Sequence, residues 1–395
     1  MKILIVSPGR LPVPAVEGGA VETLIDLLIN YNEALGKHDI YVASVWSEKA
    51  ETKSCKYKHT KYLYVKRNKL EEIATEKHFL PFRVLDYFYM TKVMQSLACV
   101  PVIFDRVVIE NELVNGSVFI KSSSIPTIYH AHNDTVCQKS KKDCDFLKSC
   151  KKVIAVSEFL ADRFRKAANV DNVSVVYNGV NTEMFQKEKY IHCAEQIREK
   201  YKVGQNDIVI VFAGRLVKEK GILELIKALR RVPDTYSIVL MIIGASFFGT
   251  GRNTSYVRNL KEECKRINHR IIFTGYIRHS DMPAYYAAAD IGCVPSLWDE
   301  PFGLTVAEQM AMSLPVITTE SGAIQEIVKH KCACLIKRDG QIDKHLAASI
   351  MNLAQDEDKR KEMGKTAREV IENSFSQKHY CEEWFNAVCG GEQNG

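Results

Sequence analysis

Two carboxylates eight positions apart, Glu300 and Glu308, are the residues of this chain whose types and spacing speak most directly of chemistry. Between them run Pro301-Phe302-Gly303-Leu304-Thr305-Val306-Ala307. Pro301 and Gly303 suit a turn, while Leu304, Ala307, Met310 and Ala311 form an apolar helical stripe. Glu300 is therefore expected at a strand-to-helix turn and Glu308 inside the helix that follows. Were the interval wholly helical, a rise of ~1.5 Å per residue would separate the two acids by about 12 Å. That exceeds the ~5–9.5 Å that a glycosidase acid/base pair needs. Acids spaced in this way are better suited to holding opposite ends of one elongated, hydroxyl-rich ligand, and a sugar nucleotide is such a ligand.

A second cluster, Gly214-Arg215-Leu216-Val217-Lys218-Glu219-Lys220-Gly221, delivers an arginine and a lysine into a loop between a strand and a helix. Ligands of open α/β sheets bind at the carboxyl ends of strands. A helix N-terminus beside Arg215 and Lys220 makes a cationic cradle for a diphosphate. A solvent-exposed charged loop is the plainer reading, and it fits Lys218 and Glu219 better than Arg215. The motif G-x-x-x-x-G-K-[ST] is absent from this loop, so an ATPase has no support here. Near the amino terminus, Glu17-Gly18-Gly19-Ala20 is not G-x-G-x-x-G, which counts against a nicotinamide cofactor. Paired glycines still let backbone N–H groups approach a phosphate closely. His130-Ala131-His132-Asn133-Asp134 follows an apolar strand at the end where a site would lie. The two histidines are expected to point opposite ways, with only one facing a cleft, and a core hydrogen bond is as good a reading of each as a functional one. No Asp-x-Asp pair follows a strand of the first half, so neutralising a diphosphate falls to Arg215 and Lys220, and no metal is expected.

The elements that must position these residues alternate regularly. Lys2–Val6 reads as a buried strand, followed by a glycine-bearing loop and a helix from about Ala20 to Leu35. Ile208 to Gly214 reads the same way, with a helix to about Arg231. Continuous apolar strands alternating with amphipathic helices indicate parallel sheets covered on both faces. Further strands fit near Ile40–Val45, Tyr62–Val65, Arg106–Glu110, Pro126–His130, Lys152–Val156 and Val173–Tyr177, then Ile238–Gly244, Arg270–Thr274, Ile291–Val294, Pro315–Thr318 and Ala333–Ile336. Residues 67 to 100 read as helical and irregular. The halves echo each other in architecture without repeating in sequence.

A chain of 395 residues suits two domains. They are expected at 1–188 and 189–375, with the aromatic tail helix in 376–395, bearing Tyr380, Trp384 and Phe385, packing back on the first. A hydrophobic fraction of 46%, a charged fraction of 26% and a net charge of +6 describe an ordinary globular protein and carry no nucleic-acid signal. Excess lysine gathers in the first half, from Lys53 to Lys69 and at Lys139, Lys141, Lys142, Lys148, Lys151 and Lys152. This reads mainly as solvated surface, with contact to anionic lipid or an anionic acceptor as a minority reading. The twelve cysteines include no C-x-x-C pair. Cys137, Cys144 and Cys150 beside His130 and His132 make zinc conceivable, but buried or incidental thiols are the better reading. Free thiols in such number suit a reducing cytoplasm. Lys2–Val6 is too short for a signal-peptide core, and no run approaches the ~18 apolar residues of a membrane span. The expected location is cytoplasmic, with peripheral contact at the inner face of the membrane allowed for.

Taken together, Glu300-x7-Glu308, Gly214-Arg215-Leu216 with Lys220-Gly221, Asn178-Gly179-Val180 and Glu17-Gly18-Gly19 resemble the retaining glycosyltransferases of family 4, which have the GT-B fold. Phe273-Thr274-Gly275-Tyr276, Ala287-Ala288-Ala289-Asp290, Pro295-Ser296 and Leu314-Pro315-Val316-Ile317 follow in the family's order. The resemblance spans nearly the whole chain and is looser in the first half. It implies two Rossmann-like domains, doubly wound and parallel-sheeted, facing across a cleft, with acceptor on the first and nucleotide sugar on the second. By position it gives Arg215 and Lys220 the diphosphate, Glu308 the ribose hydroxyls and Glu300 the transferred sugar, joined by backbone of Phe302, Gly303 and Leu304. Gly18 and Gly19 would close over the phosphates, Tyr276 would lie near the base, and His132, with His130 in reserve, would be the family's first-domain histidine. Catalytic roles would thus fall to His132, Arg215, Lys220 and Glu300. Two departures, Ser321-Gly322-Ala323 for a small-Gly-Gly turn and Met312-Ser313 for a glycine before Leu314, touch loop shape and donor preference.

The implied reaction is metal-independent hexosyl transfer with retention. The donor is a nucleotide sugar, a UDP-sugar by default, with no cofactor beside it. The acceptor is a saccharide, a lipid-linked saccharide or a glycoconjugate of the cell envelope. An epimerase would convert donor without acceptor, a phosphorylase would respond to inorganic phosphate, and a non-catalytic binding or assembly protein would have no need to keep Arg215, Lys220, Glu300 and Glu308 together.

Overall fold

The apolar runs become the strands of two parallel sheets in the computed structural model of the chain, which describes residues 1–77, 80–135, 140–245, 254–328 and 331–390. The first unit holds β1 (Lys2–Val6), β2 (Asp39–Val45), β3 (Thr60–Val65), β4 (Arg106–Glu110), β5 (Thr127–Ala131), β6 (Lys152–Ala155) and β7 (Val173–Val175). The second holds β8 (Ile208–Ala213), β9 (Ile238–Ile243), β10 (Arg270–Gly275), β11 (Ile291–Val294), β12 (Val316–Thr319) and β13 (Ala333–Ile336). Among the described residues the strand orders are β3-β2-β1-β4-β5-β6-β7 and β10-β9-β8-β11-β12-β13, every pairing parallel. Ile3, Leu4, Ile5 and Val6 are fully buried, as are Val209, Ile210 and Val211. A parallel strand with helices on both faces has no polar side to show, hence the unbroken apolar runs.

β5 and β12 each begin one residue later than the sequence suggests, at Thr127 and Val316. In both cases the preceding proline has no N–H to give a ladder. Among the described residues, 67 to 100 hold two helices, Lys69–Lys77 and Phe82–Ala98. Cys137 and Lys139 lie outside the described residues.

In both sheets the strand order reverses beside the central strand, between β1 and β4 and between β8 and β11. The loops leaving the carboxyl ends of those strands diverge, which opens a crevice for a ligand. Arg215 and Lys220 follow β8, Glu300 follows β11, Gly18 and Gly19 follow β1, and Glu110 closes β4.

The chain divides into Met1–Gly179 with Gln377–Gly395, and Val180–Ser376. This first boundary falls earlier than the expected 188, and the packing gives the reason. The Val180 N–H donates to the Phe375 carbonyl at 2.8 Å. The Arg368 guanidinium donates to the carbonyls of Thr182, at 3.0 Å, and of Phe185. Phe185 is buried, with its ring 6.2 Å from that of Tyr286. Residues 180–188 are thus held by the second unit. The terminal helix Gln377–Cys389 belongs to the first, where Trp384 is fully buried and meets Phe385 edge to face at 5.0 Å. Lys152 Nζ donates to the Ala387 carbonyl at 2.8 Å, tying the end of that helix to β6.

Truncating a fully buried tryptophan costs about 3–5 kcal/mol. Trp384→Ala is expected to destabilise the first unit by that amount, read from the midpoint of its urea transition. A loss under about 1 kcal/mol would mean that this helix does not belong to its core.

Candidate functional site

In the second unit the site is built where β8 and β11 end. Lys220 closes a single turn of 3-10 helix, Lys218–Lys220, and Gly221 opens the helix Ile222–Leu229. Gly221 has φ +69°, and a Cβ there would lie 1.8 Å from the Pro295 carbonyl oxygen. Only glycine lets the loop after β8 press this closely on the end of β11. Lys220 Nζ reaches Glu300 Oε1 at 2.6 Å, and Ser296 Oγ donates to the same oxygen at 2.7 Å. Oε2 of Glu300 takes no hydrogen bond among the described residues. The Glu300 side chain is 8% exposed and that of Lys220 is 17%. The Trp298 ring lies 5.4 Å from Lys220 Nζ, adding the face of an indole to the cation's surroundings.

Below Glu300 the turn is closed by Gly322, at φ +53°, whose added Cβ would meet the Glu300 carbonyl oxygen at 2.5 Å. The Ala323 N–H donates to that carbonyl at 2.9 Å. The Ser321-Gly322-Ala323 departure thus keeps glycine at the one position that needs it. At the other departure Ser313 takes φ +56°, the left-handed conformation that glycine adopts freely.

Gly303, at φ +112°, precedes the helix Leu304–Ala311, and Phe302 beside it is buried. At the start of this helix the Val306 and Ala307 N–H groups donate to the Gly303 carbonyl, at 2.9 and 3.2 Å. Glu308, inside the helix, is held by His279 Nε2 at 2.7 Å from Oε1 and by the Tyr286 hydroxyl donating to Oε2 at 3.3 Å. The Phe185 ring packs 5.5 Å from the His279 ring. Arg215 is exposed, and its guanidinium pairs with no carboxylate among the described residues. Tyr276, just past β10, is 44% exposed.

The first unit carries its own cluster. Gly18 and Gly19 have φ of 86° and 98° and lead into the helix Ala20–Leu35, with the carboxyl of buried Glu22 turned back against Gly19. Burial pushes the Glu22 carboxyl up to about 7. His130 and His132 do not point apart. Residues i and i+2 of a strand share a face, and their ring centroids are 4.1 Å apart. Both meet Glu110 Oε2, His130 through Nδ1 at 3.0 Å and His132 through Nε2 at 2.8 Å. The donor atoms of these three residues lie within 4.8 Å of one another, a set that a divalent cation could also use. Cys150 is shut away, its thiol donating to the Phe146 carbonyl at 3.3 Å and pushed up to about 12 by burial.

The structure thus joins Lys220 to Glu300, sets Glu308 on the helix that Gly303 opens, and leaves Arg215 and Tyr276 reaching outward. Sequence reasoning missed His279, Tyr286, Trp298, Glu22 and Glu110. Glu110 had a signal, as a carboxylate ending a buried strand; the contact of His279 with Glu308 had none.

Residues 194–370 match the family described as Glycosyl transferases group 1, and residues 22–184 match Glycosyltransferase Family 4. The Bacillus subtilis protein YtcC, which its name places among the glycosyltransferases, is 27% identical over 394 residues, covering 96% of this chain and 89% of its own. A GDP-mannose-dependent alpha-(1-6)-phosphatidylinositol monomannoside mannosyltransferase of Mycobacterium tuberculosis is 28% identical over 229 residues, 55% of this chain and 56% of its own. The crystal structure of Anabaena Alr3699/HepE in complex with UDP and glucose superposes with a TM-score of 0.76 at 20% identity, covering 99% of this chain and 100% of that one.

Burial alone would lower the pKa of His279, but Glu308 outweighs it and holds the imidazole above its ordinary 6.5. A raised folded-state pKa means that the pair's contribution to stability is complete below pH 6.5 and is lost as pH rises through the folded value. In Glu308→Gln only burial remains, so the His279 midpoint followed by NMR is expected to fall below 6.5. A midpoint unmoved by the substitution would show that the pair does not form.

Proposed function

This chain belongs to the family 4, group 1 glycosyltransferases and has their GT-B fold, and on that premise we propose that it transfers a hexosyl residue, with retention and without a metal, from a UDP-sugar to a saccharide or lipid-linked acceptor of the cell envelope. The observation that carries the reading is the Lys220–Glu300 pair at the N-terminal end of a helix, with Ser296 on the same carboxylate oxygen. A cation at a helix N-terminus is the chemistry a diphosphate needs. A buried acid with one oxygen free is the chemistry a sugar hydroxyl needs.

In the proposed reaction the bond from the anomeric carbon to the diphosphate oxygen breaks, leaving an oxocarbenium-like centre and a diphosphate that gains negative charge. Lys220, Arg215 and the first N–H groups of the helix at Gly303 stabilise that charge where it develops. The acceptor hydroxyl bonds to the same face of the carbon and gives its proton to the departing phosphate oxygen. In this reading Glu300, anchored through Oε1 by Lys220 and Ser296, orients the sugar through Oε2 and does not attack. Glu308 receives the ribose hydroxyls in place of His279 and Tyr286. Tyr276 approaches the base.

UDP is favoured as the donor's nucleotide by the likeness to the UDP-bound HepE structure. The GDP-mannose-dependent relative makes GDP the alternative to be tested. No helix among the described residues is long and apolar enough to cross a membrane.

Thermal-shift titration with UDP, GDP, ADP and their sugars is expected to raise the unfolding midpoint most for UDP species. Lys220→Ala and Arg215→Ala are each expected to lower turnover by roughly 10²–10³-fold with circular dichroism unchanged, the scale of losing one preorganised charge stabiliser. Turnover within threefold of the parent would remove the diphosphate assignment.

A further inference from the structure

The Glu110–His130–His132 cluster lies at the adjoining ends of β4 and β5, where the parallel register sets His130 beside Glu110. Glu110 is 1% exposed, His130 fully buried and His132 8% exposed. One carboxylate oxygen serves both rings, and among the described residues three atoms have no hydrogen-bond partner: Glu110 Oε1, His130 Nε2 and His132 Nδ1. A buried polar atom without a partner costs about 1–3 kcal/mol, so a fold keeps one only for a reason. The His132 backbone is anchored as well, its N–H donating to Asn111 Oδ1 at 3.0 Å. Asn111 itself takes the left-handed φ of 61° directly after Glu110.

Electrostatics decides which nitrogens carry protons. Burial would raise the Glu110 carboxyl, but the two imidazoles hold it well below the usual carboxylate range. Burial first, then the charge of His130, pushes His132 down to about 4, against the pull of Glu110. At neutral pH Glu110 is therefore ionised and His132 neutral. A bare ring nitrogen at 2.8 Å from a carboxylate would be repelled, so Nε2 of His132 must carry the hydrogen. Nδ1 of His130 lies 3.0 Å from the same oxygen and also accepts from the Trp384 indole N–H at 3.4 Å, so its proton is not assigned by this geometry.

We propose that Glu110 is a positioning residue: it fixes His132 as the Nε2–H tautomer and so leaves its Nδ1 lone pair as the acceptor of a substrate hydroxyl. This rests on the glycosyltransferase reading for the identity of that hydroxyl, which belongs to the transferred sugar or to the acceptor. The other titratable groups whose charges act with Glu110 are Glu22 and, from the terminal helix, Tyr380.

The test begins with the unliganded protein, so it can fail independently of the transferase reading. In ¹⁵N-histidine-labelled protein treated with EDTA, with His132→Asn to assign the signal, long-range ¹H–¹⁵N spectra at pH 7 are expected to show His132 neutral and protonated at Nε2. The Nδ1–H tautomer, an imidazolium, or a stoichiometric divalent cation retained through EDTA with both rings unprotonated at their Glu110-facing nitrogens would each overturn the proposal. The wild-type spectrum decides this even if no Glu110 variant folds. In Glu110→Gln the tautomer preference is expected to weaken. kcat should then fall on the order of tenfold to a hundredfold while donor KM stays within about threefold, the pattern of a lost orienting group. Donor hydrolysis without acceptor falling in parallel assigns the hydroxyl to the sugar, and a fall in transfer alone assigns it to the acceptor. Unchanged kcat in both assays overturns the positioning role.

Discussion

A carboxylate taken out of water must be accompanied, and in the second unit that requirement organises everything near Glu300. Lys220 and Ser296 share one of its oxygens, and leaving such a charge buried without its cation costs about 3–5 kcal/mol. The surrounding backbone is arranged to keep the companions in place. Thr319 and Ser321 hydroxyls both donate to the Ser296 carbonyl, at 2.6 and 2.7 Å, and fix the residue that caps the acid. Gly221 brings the lysine's turn within reach of β11, and Gly322 lets the loop after β12 close beneath Glu300. The same anchoring leaves the acid's other oxygen without a hydrogen bond among the described residues.

Each sheet repeats one constraint: side chains that meet a ligand leave from the carboxyl ends of the strands beside the reversal of order. In the first unit that place holds glycines, a carboxylate and two imidazoles, and in the second two cations and two carboxylates. The two sets differ in proton chemistry. The first can hold a proton at a defined atom, while the second supplies permanent charge.

Much of this was readable from residue types because parallel strands buried on both faces leave continuous apolar runs, and because a turn built from proline and glycine marks where Glu300 sits. The pairing of Lys220 with Glu300 was not readable, since contact across 80 residues depends on β8 lying next to β11. The histidine pair was misread through its direction: alternation along a strand places i and i+2 together, and with that corrected a shared partner becomes the natural expectation. Glu110 comes from a neighbouring strand, so its role depended on register, which no local pattern reveals. His279 escaped for a related reason, because its contact with Glu308 joins a loop after β10 to a helix after β11. The first boundary was placed late because residues 180–188 are polar in composition yet anchored by Arg368 and Phe375.

The terminal helix Gln377–Cys389 adds a condition of another kind. It fills the core of the first unit with Trp384 and Tyr380, yet it is the last described element that a ribosome would produce. The half of the chain synthesised earliest must therefore wait, its apolar surface unfinished, until the whole second unit has emerged. A nascent chain halted after Ser376 would carry a second unit able to close its sheet and a first unit still open to chaperones.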